Sequence, residues 1–327
     1  MDAGSAHPAG TGVGATVASR RVGHSGLVVS RLGLGTGSWG TATDAIDAGE
    51  VLSAFAAAGG TLVDTAPHFG DGQAEEVLGS LLGKAFRREE FVLAGKAGLR
   101  RVGGRTVADA SRRNLLESLD ASLARLDTDH VDLWQVQLFD SATPVEETLS
   151  ALEHAVATGR ARYVGVANYG GWHLARAATL LESAAGHARI VAAGTEYSLL
   201  QRNPEAELLP AAAALGVGVL AYAPLAGGVL TAKYRHSTPL DSRAARTDDV
   251  EHHLDAGGRR VVDAIATAAD GLGVSAIEVA LAWVRDRPGV AAAIVGARSV
   301  AQLAPTLAAE SLTLPEGIRR ALDDVSS

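Results

Sequence analysis

Strand-like and helical segments alternate eight times along the chain, and this alternation restricts the fold more than any other feature of the sequence. Short apolar runs with strand character recur between amphipathic stretches that follow a helical period. The runs are 32–35, 61–64, 91–96, 131–137, 163–167, 190–196, 217–222 and 292–295. The clearest helical pattern, over 110–126, places Leu115, Leu119, Leu123 and Leu126 on one face. Eight such units predict an α/β fold of the (β/α)8 TIM-barrel type.

Several segments lie outside the repeating units. Residues 1–19 are rich in Gly, Ala, Ser and Thr without periodicity, so we expect a flexible N-terminal tail before a single barrel domain over 20–327. Residues 20–29 indicate a short hairpin with Ser25 and Gly26 in its turn, and 315–325 a C-terminal helix. The charged, aperiodic stretch 235–258 is predicted to form a long loop after the seventh strand.

A dinucleotide-binding fold is the competing prediction. Gly35, Gly37 and Gly40 satisfy the G-x-G-x-x-G pattern after a strand, and Asp64 ends the next strand. Three spaced glycines are a weak signal in a chain with 38 glycines. The alternation also continues evenly to the C-terminus, whereas a doubly wound domain would normally be joined to a differently patterned second domain. The barrel is therefore the preferred fold.

Composition narrows the class of function. The formal net charge is −8, and no run of Lys and Arg is dense enough to follow a phosphate backbone, so nucleic acid is not an expected partner. The chain has no cysteine, which excludes disulfides, thiolate catalysis and Cys-ligated zinc. Neither a signal-peptide pattern nor an apolar run of membrane-spanning length is present. We expect a cytoplasmic protein that acts on a small molecule without a membrane partner, and the sequence indicates no oligomeric state.

Polar residues at the carboxyl ends of the predicted strands are the candidate site, because barrel enzymes place their chemistry there. These residues are Asp64, Lys96, Gln137, Asn168, Glu196, Tyr222 and Arg298. Asp64 and Lys96 end consecutive strands, an arrangement that holds a lysine charge in a cleft. The same pair would also suit a purely structural salt bridge at the barrel rim.

Several spaced motifs resemble those of the aldo-keto reductases. The segment from Asp64 to Gly70 is similar to the family signature Asp-Thr-Ala-x-x-Tyr-Gly, and Gly23 to Gly40 looks like its first strand. Further matches follow in family order at 75–79, 132–136, 165–168, 196–198, 222–228, 233–234 and 294–303. The resemblance covers almost the whole chain, and it points to the branch with aldose dehydrogenase-like and potassium-channel-beta-like reductases. It implies a TIM barrel that reduces carbonyl groups with NADP(H).

The resemblance also implies four catalytic side chains, of which this chain keeps two. By position, Asp64 and Lys96 match the family's aspartate and lysine, whereas its proton-donating tyrosine falls on Phe69 and its substrate-orienting histidine on Gln137. Phe69 has no proton to give, and losing a general acid should remove roughly a hundred- to ten-thousand-fold in rate. Gln137 can donate an N–H but cannot change charge near neutral pH. His68 is the candidate substitute acid, with an outward-facing loop residue as the alternative.

A site for NADP(H) is implied on several loops. The implied contacts are Asn168, Glu196, Tyr222, Leu225, Gly227, Lys233, Gly296, Arg298 and Gln302. In the family, the position of Tyr222 stacks on nicotinamide, and those of Arg298 and Gln302 lie near the 2′-phosphate, which favours NADP over NAD. Ala167 and Gly194 replace family residues that hold the nicotinamide amide. Binding of NADP(H) is therefore expected to be weakened or lost.

Aromatic and histidine residues supply the remaining candidates. Trp39, after the first strand, is predicted to line the substrate pocket together with Phe69, whereas Trp134 and Trp172 also suit the core. Adjacent histidines at 252–253, with acids at 248, 249 and 251, suggest a metal, but such a loop is more often solvated. No metal is predicted.

Three functions remain open from the sequence. The preferred one is an NADP(H)-dependent oxidoreductase of atypical mechanism that acts on a small carbonyl, enone or sugar-like metabolite of specialised metabolism. The second is a non-redox lyase, isomerase or cyclase that uses Lys96 and Asp64 on the same barrel. The third is a non-catalytic binding protein that keeps the fold and a weak pocket.

Overall fold

Eight parallel strands close into a barrel in the computed structural model, which describes residues 16–184, 188–235 and 250–327. Two short strands, β1 (Ser19–Arg21) and β2 (Val28–Ser30), form a hairpin before it. The barrel strands are β3 (Leu32–Gly35), β4 (Leu62–Asp64), β5 (Val92–Ala97), β8 (Val131–Val136), β9 (Ala161–Ala167), β10 (Ile190–Glu196), β11 (Gly218–Tyr222) and β12 (Val290–Gly296). They pair in that order, and β12 pairs with β3 to close the sheet. A second hairpin, β6 (Leu99–Val102) and β7 (Arg105–Ala108), follows β5.

Helices follow every barrel strand and surround the sheet. They are α1 (Ala45–Ala57), α2 (Gln73–Leu81), α3 (Arg112–Leu126), α4 (Val145–Ala157), α5 (Gly171–Ser183), α6 (Leu208–Leu215), α7 (Ala256–Leu272), α8 (Ala276–Arg285), α9 (Val300–Ala308) and α10 (Glu316–Val325). The predicted (β/α)8 barrel, its N-terminal hairpin and its C-terminal helix are confirmed. The competing open sheet is wrong, because β3 pairs with both β4 and β12 and the barrel has no edge there.

The strand boundaries agree with the sequence prediction within two residues, and two strands agree at both ends: β3 and β10. Strands of a parallel barrel are covered on both faces, so they appear in the sequence as short, nearly continuous apolar runs. This is why their limits could be predicted from the sequence.

Small and branched residues fill the barrel interior. The inward-facing cluster contains Leu62, Ala94, Leu133, Ala192, Leu220, Ala292 and Ile294 from the strands, with Val22, Leu27 and Val29 from the N-terminal hairpin. The hairpin therefore packs against the interior at the amino end of the strands. The carboxyl end remains for polar residues, as in other barrels of this kind.

Two local predictions differ from the structure. The turn of the first hairpin is centred on Gly23 and His24, since Ser25 N–H donates to Val22 O at 3.2 Å. Gly23 takes a φ of +54° and lies so close to the backbone of Gly216 that a Cβ would stand 2.1 Å from its carbonyl oxygen, a tertiary constraint that the sequence does not display. The second hairpin was not predicted, although two adjacent glycines with positive φ form its turn.

Parts of two predicted segments lie outside the described residues, namely 1–15 of the tail and 236–249 of the long loop. Within the described residues, no single helix has the length and apolarity to cross a membrane. Helices α7 and α8 are long and apolar enough only when they are taken together, and the angle between them is 103°.

Candidate active site

Asp64 and Lys96 form a buried ion pair at the carboxyl end of the barrel. β4 ends at Asp64, Lys96 lies one residue before the end of β5, and the two residues are 4% and 7% exposed. Lys96 Nζ donates to Asp64 Oδ1 and, at 3.3 Å, to the Thr65 carbonyl oxygen. Burial raises the pKa of Asp64, and the ammonium of Lys96 opposes this shift. The pair holds a positive charge among the strand ends.

Phe69 and His68 lie beside this charge. Lys96 Nζ is 5.8 Å from the centroid of the Phe69 ring, and the rings of His68 and Phe69 are 4.5 Å apart. Burial, and then the ammonium of Lys96, lowers the pKa of His68 to about 4. The residue is solvent-exposed, which moderates the effect of burial, but the ammonium acts in the same direction and the imidazole is neutral at pH 7. A neutral imidazole is a weaker proton donor than an imidazolium, and the role of His68 as a substitute acid stays a prediction.

Gln137 follows the end of β8 and is half-buried. Its backbone N–H donates to Ala97 O at 2.7 Å, and its carbonyl oxygen accepts from Asn168 Nδ2 at 2.9 Å. Its side-chain oxygen is buried and has no hydrogen-bond partner within the described residues. The backbone at this strand end is fixed, while the carboxamide is left with hydrogen-bonding capacity.

Sequence reasoning missed Gln135, two residues earlier. It is 1% exposed and pairs with Lys96 in the register of β5 and β8, and neither polar atom of its side chain has a partner among the residues that the structure describes. Two glycines make room for it. A Cβ on Gly165 would stand 3.2 Å from its Cγ, and one on Gly194 would stand 3.2 Å from its Oε1. A glutamine inside an otherwise apolar run was the available signal.

Asn168, Glu196 and Tyr222 lie together at the ends of β9, β10 and β11. Tyr222 Oη donates to Asn168 Oδ1 at 2.6 Å, and Glu196 pairs with Tyr222 in the strand register. Burial, and then the charge of Glu196, raises the pKa of Tyr222 to about 12. Asn168 has a φ of +56°, a conformation that asparagine tolerates better than most residues. The structure thus brings three of the predicted cofactor residues together.

The loop after β11 places a lysine over two glycines. Gly227 and Gly228 have φ values of +64° and +97°, and a Cβ on Gly228 would stand 2.8 Å from Lys233 Nζ. Leu225 packs its side chain against the core and accepts the N–H of Gly228 through its carbonyl oxygen at 2.9 Å. An ammonium group above a glycine turn suits an anionic group such as a phosphate.

Gly296, Arg298 and Gln302 lie where β12 passes into α9. Gln302 Oε1 accepts the backbone N–H of Arg298 at 3.0 Å, and Ser299 caps the helix by accepting the N–H of Gln302. Gly296 pairs with Gly35 of β3. Because β11 and β12 are neighbours, this corner and the Lys233 loop lie on the same side of the barrel end.

The prediction for Trp39 is corrected. Its side chain has no exposed surface and belongs to the core between sheet and helices, so it does not line an open pocket. Trp134 is also buried, whereas Trp172 is 55% exposed. Spacing along the chain does not tell which face of a loop a tryptophan occupies.

Metal binding finds no support in the described ranges, which contain no group of three or more His, Asp or Glu side chains that could hold an ion. His253 is buried. The acids at 248 and 249 lie outside these ranges, as does the side chain at 252.

Comparison with known proteins yields one consistent picture. Residues 31–326 match the model of the aldo/keto reductase family. The chain is 37% identical to the uncharacterized oxidoreductase YrpG of Bacillus subtilis, with 93% of this chain and 94% of YrpG covered. It is 33% identical to a probable voltage-gated potassium channel subunit beta of rice, over 89% of this chain and 90% of that protein. It is 34% identical to L-glyceraldehyde 3-phosphate reductase of Escherichia coli, over 74% of this chain and 72% of the enzyme.

Proposed function

The chain belongs to the aldo/keto reductase family of oxidoreductases, and from this membership we propose that it transfers hydride between NADP(H) and a small carbonyl, enone or sugar-like metabolite. One observation carries the proposal: Lys96, paired with buried Asp64, holds its ammonium 5.8 Å from the ring of Phe69. Because Phe69 has no hydroxyl group, the positively charged proton donor beside that ring is the ammonium itself.

The residues on the far side of the barrel end suit the cofactor. The ammonium of Lys233 lies above Gly228 and offers a positive charge to a pyrophosphate. A side chain at position 228 would occupy the space beneath that ammonium. Arg298 and Gln302 stand together where a 2′-phosphate would require a cation and a polar side chain. Tyr222 presents a neutral ring beside Asn168. When bound there, NADPH would supply the hydride.

Lys96 takes the principal chemical role in this proposal. Its ammonium stabilises negative charge that develops on the substrate oxygen, and burial of the pair with Asp64 strengthens that interaction. Gln137 can add an N–H donor, since its side-chain nitrogen is free to turn toward a ligand while its backbone is held. His68, being neutral, binds the substrate oxygen without donating a charge-assisted proton.

This arrangement favours one kind of substrate. Without a tyrosine acid, reduction of an ordinary aldehyde should be slowed by roughly a hundred- to ten-thousand-fold. Hydride addition to the β-carbon of a conjugated carbon–carbon double bond forms an enolate, whose oxygen needs charge stabilisation. Its α-carbon then takes a proton from water. An enone or a similarly activated carbonyl compound is therefore the substrate that the site serves best.

Calorimetric titration with NADPH is the test. We expect saturable binding, weakened in Lys233→Gln and unchanged in Arg87→Gln, another exposed cation, before the amino end of β5. Absence of binding up to roughly millimolar NADPH would end the redox proposal.

The non-redox alternative is also favoured by a specific observation, since the Asp64–Lys96 pair is complete without any tyrosine. In that case Lys96 would stabilise an enolate during elimination or isomerisation. Turnover of an activated carbonyl compound without a change in nicotinamide absorbance would favour this alternative, and strict dependence on NADPH would exclude it.

A further inference from the structure

Four aromatic rings stand together beside the candidate active site. Phe139 lies in the loop after β8, Tyr169 in the loop after β9, and Trp172 and His173 in the first turn of α5. The ring centroid of His173 is 3.8 Å from that of Phe139 and 3.7 Å from that of Trp172, so the imidazole lies between them. Tyr169 meets Phe139 edge-to-face at 5.4 Å. We call these four residues the aromatic stack.

Trp172 distinguishes the stack from an ordinary core cluster. The chain has four tryptophans, and Trp39, Trp134 and Trp283 are 0%, 1% and 2% exposed. Trp172 is 55% exposed although its ring rests on His173. An indole supported on one side and open to solvent on the other offers a flat apolar surface to a second ring.

The stack is held in place, and its central imidazole favours the neutral form. Glu207 accepts the backbone N–H groups of Gly171 and Trp172 at 3.2 and 3.1 Å, which fixes the first turn of α5. Burial lowers the pKa of His173, against the opposing charge of Glu207, which favours the neutral form of the central ring. The platform therefore offers its ligand the flat apolar faces of aromatic rings.

The position of the stack connects it to the candidate active site. Phe139 is two residues past Gln137, Tyr169 directly follows Asn168, and the bond from Asn168 Nδ2 to Gln137 O joins the two loops at 2.9 Å. A ligand whose reacting carbon lies near Lys96 and Gln137 can therefore extend toward Trp172 over the ends of β8 and β9.

We propose that Trp172 and the aromatic stack form a ring-binding subsite for the non-reacting part of the substrate, which is a carbonyl compound with an aromatic or sugar ring. This inference rests on the proposed function in that it takes the carboxyl end of the barrel as the substrate site. Stacking of one ring strengthens binding by about three- to tenfold, so Trp172→Ala weakens ring-bearing ligands by that factor. Ligands without a ring are unaffected.

Acrylamide quenching of tryptophan fluorescence tests the subsite without any turnover. Because the other tryptophans are buried, the readily quenched emission belongs to Trp172. The probes are 3-phenylpropionamide, methyl glucoside and, as the ringless control, propionamide, each titrated with and without NADP⁺. We expect at least one ring-bearing probe to protect Trp172 and propionamide not to protect it. The phenyl and glucoside arms decide which ring is preferred.

Matched variants complete the design. Trp172→Ala should remove the quenchable emission, so calorimetric titration of the same probes follows ring binding in the variants. Trp172→Ala should lose the preference for the ring, and Trp172→Phe should restore it in part. Equal affinity for ringless and ring-bearing probes, or a preference that survives in Trp172→Ala, would overturn the subsite. So would a Trp172 that is shielded in the free protein and exposed on dilution, which would indicate coverage by a second copy. Failure of NADPH to bind bears on the proposed function alone, because ring protection is also measured without cofactor.

Discussion

Each end of the barrel buries a paired cation, but the two cations are satisfied to different degrees. At the amino end, Arg285 is 1% exposed and donates to Asp286 at 2.8 and 2.5 Å and to the carbonyl oxygens of Ala309 and Leu312. At the carboxyl end, Lys96 donates to Asp64 and, at 3.3 Å, to a single carbonyl oxygen. An arginine whose whole fork is engaged holds chain segments together, whereas a lysine with spare donor capacity can respond to a ligand.

The two ends of the barrel also differ in backbone conformation. Non-glycine residues with positive φ occur on loops at the carboxyl end, at Asp71, Asn168, Ala223, Ala226 and Ala232. Within the described residues, Asp127 at the end of α3 is the other one. Buried side-chain atoms without partners also include those of Gln135 and Gln137 at this end, although Glu310 Oε2 at the amino end lacks one too. Backbone strain that gathers at one end of the barrel is typical of a functional site.

Removing the amino-end cation should have the largest effect on stability. Arg285→Met leaves two carbonyl groups without their donor, and Asp286 keeps only the more distant Arg31 at 3.6 Å and Arg20 at 4.0 Å. We expect a loss of about 2–5 kcal/mol in the free energy of unfolding, measured with urea. The affinity of the folded protein for NADPH should not change. Arg320→Met, an exposed arginine on α10, is the control and should cost less than about 1 kcal/mol. A similarly small loss in Arg285→Met would remove the contrast between the two ends.

Replacing both partners of the carboxyl-end pair should not destabilise the protein. In Asp64→Leu/Lys96→Met no charge remains buried, and the free energy of unfolding should be unchanged or rise by up to about 4 kcal/mol. Lys96→Met alone should lower it, because Asp64 is then buried without its partner. Turnover should be lost in both. If the double variant is as destabilised as the single one, the pair is structural.

Gln135 offers a smaller test of the same contrast. Gln135→Leu removes a buried carboxamide that has no partner in the described part of the chain, so the free energy of unfolding should rise by about 1–2 kcal/mol. Gln137→Leu, at the half-buried neighbouring site, should change it less. Thermal and urea unfolding measure both. Clear destabilisation by Gln135→Leu would mean that its amide has a bound partner.

The smallest expected effect is a change in pH dependence at His68. Its folded pKa is about 4, below the ordinary 6.5, so between these values the unfolded chain binds a proton that the folded chain does not. The native protein should therefore lose stability as the pH falls from 6.5 toward 4, and His68→Asn should lose less. Above pH 7 the stability of both proteins should depend on pH in the same way. Identical slopes over pH 4–7 would show that neither burial nor the ammonium of Lys96 lowers the pKa of His68 in the folded protein.

The fold could be predicted because its signals are local and repeated. Each barrel strand is a short apolar run, and the leucines of α3 mark one buried face. The turn at Gly23 could not be placed, since its position depends on contact with Gly216, almost two hundred residues away in the chain.

The candidate site was predictable in part, for a different reason. Family motifs indicated Asp64 and Lys96, and the structure places them in contact. The shifted pKa of His68, the burial of Trp39 and the exposure of Trp172 depend on neighbours from other loops, which the order of residues does not reveal.

The central claim is that Lys96 remains competent and that Phe69 removes the family's proton donor. NADPH oxidation by Phe69→Tyr, followed by absorbance with glyceraldehyde and 4-nitrobenzaldehyde, tests this most directly. We expect a rate about a hundred- to ten-thousand-fold above that of the native chain, and no such gain in Phe69→Tyr/Lys96→Met. A Phe69→Tyr variant that binds NADPH as the native chain does, yet reduces neither aldehyde faster, would contradict it.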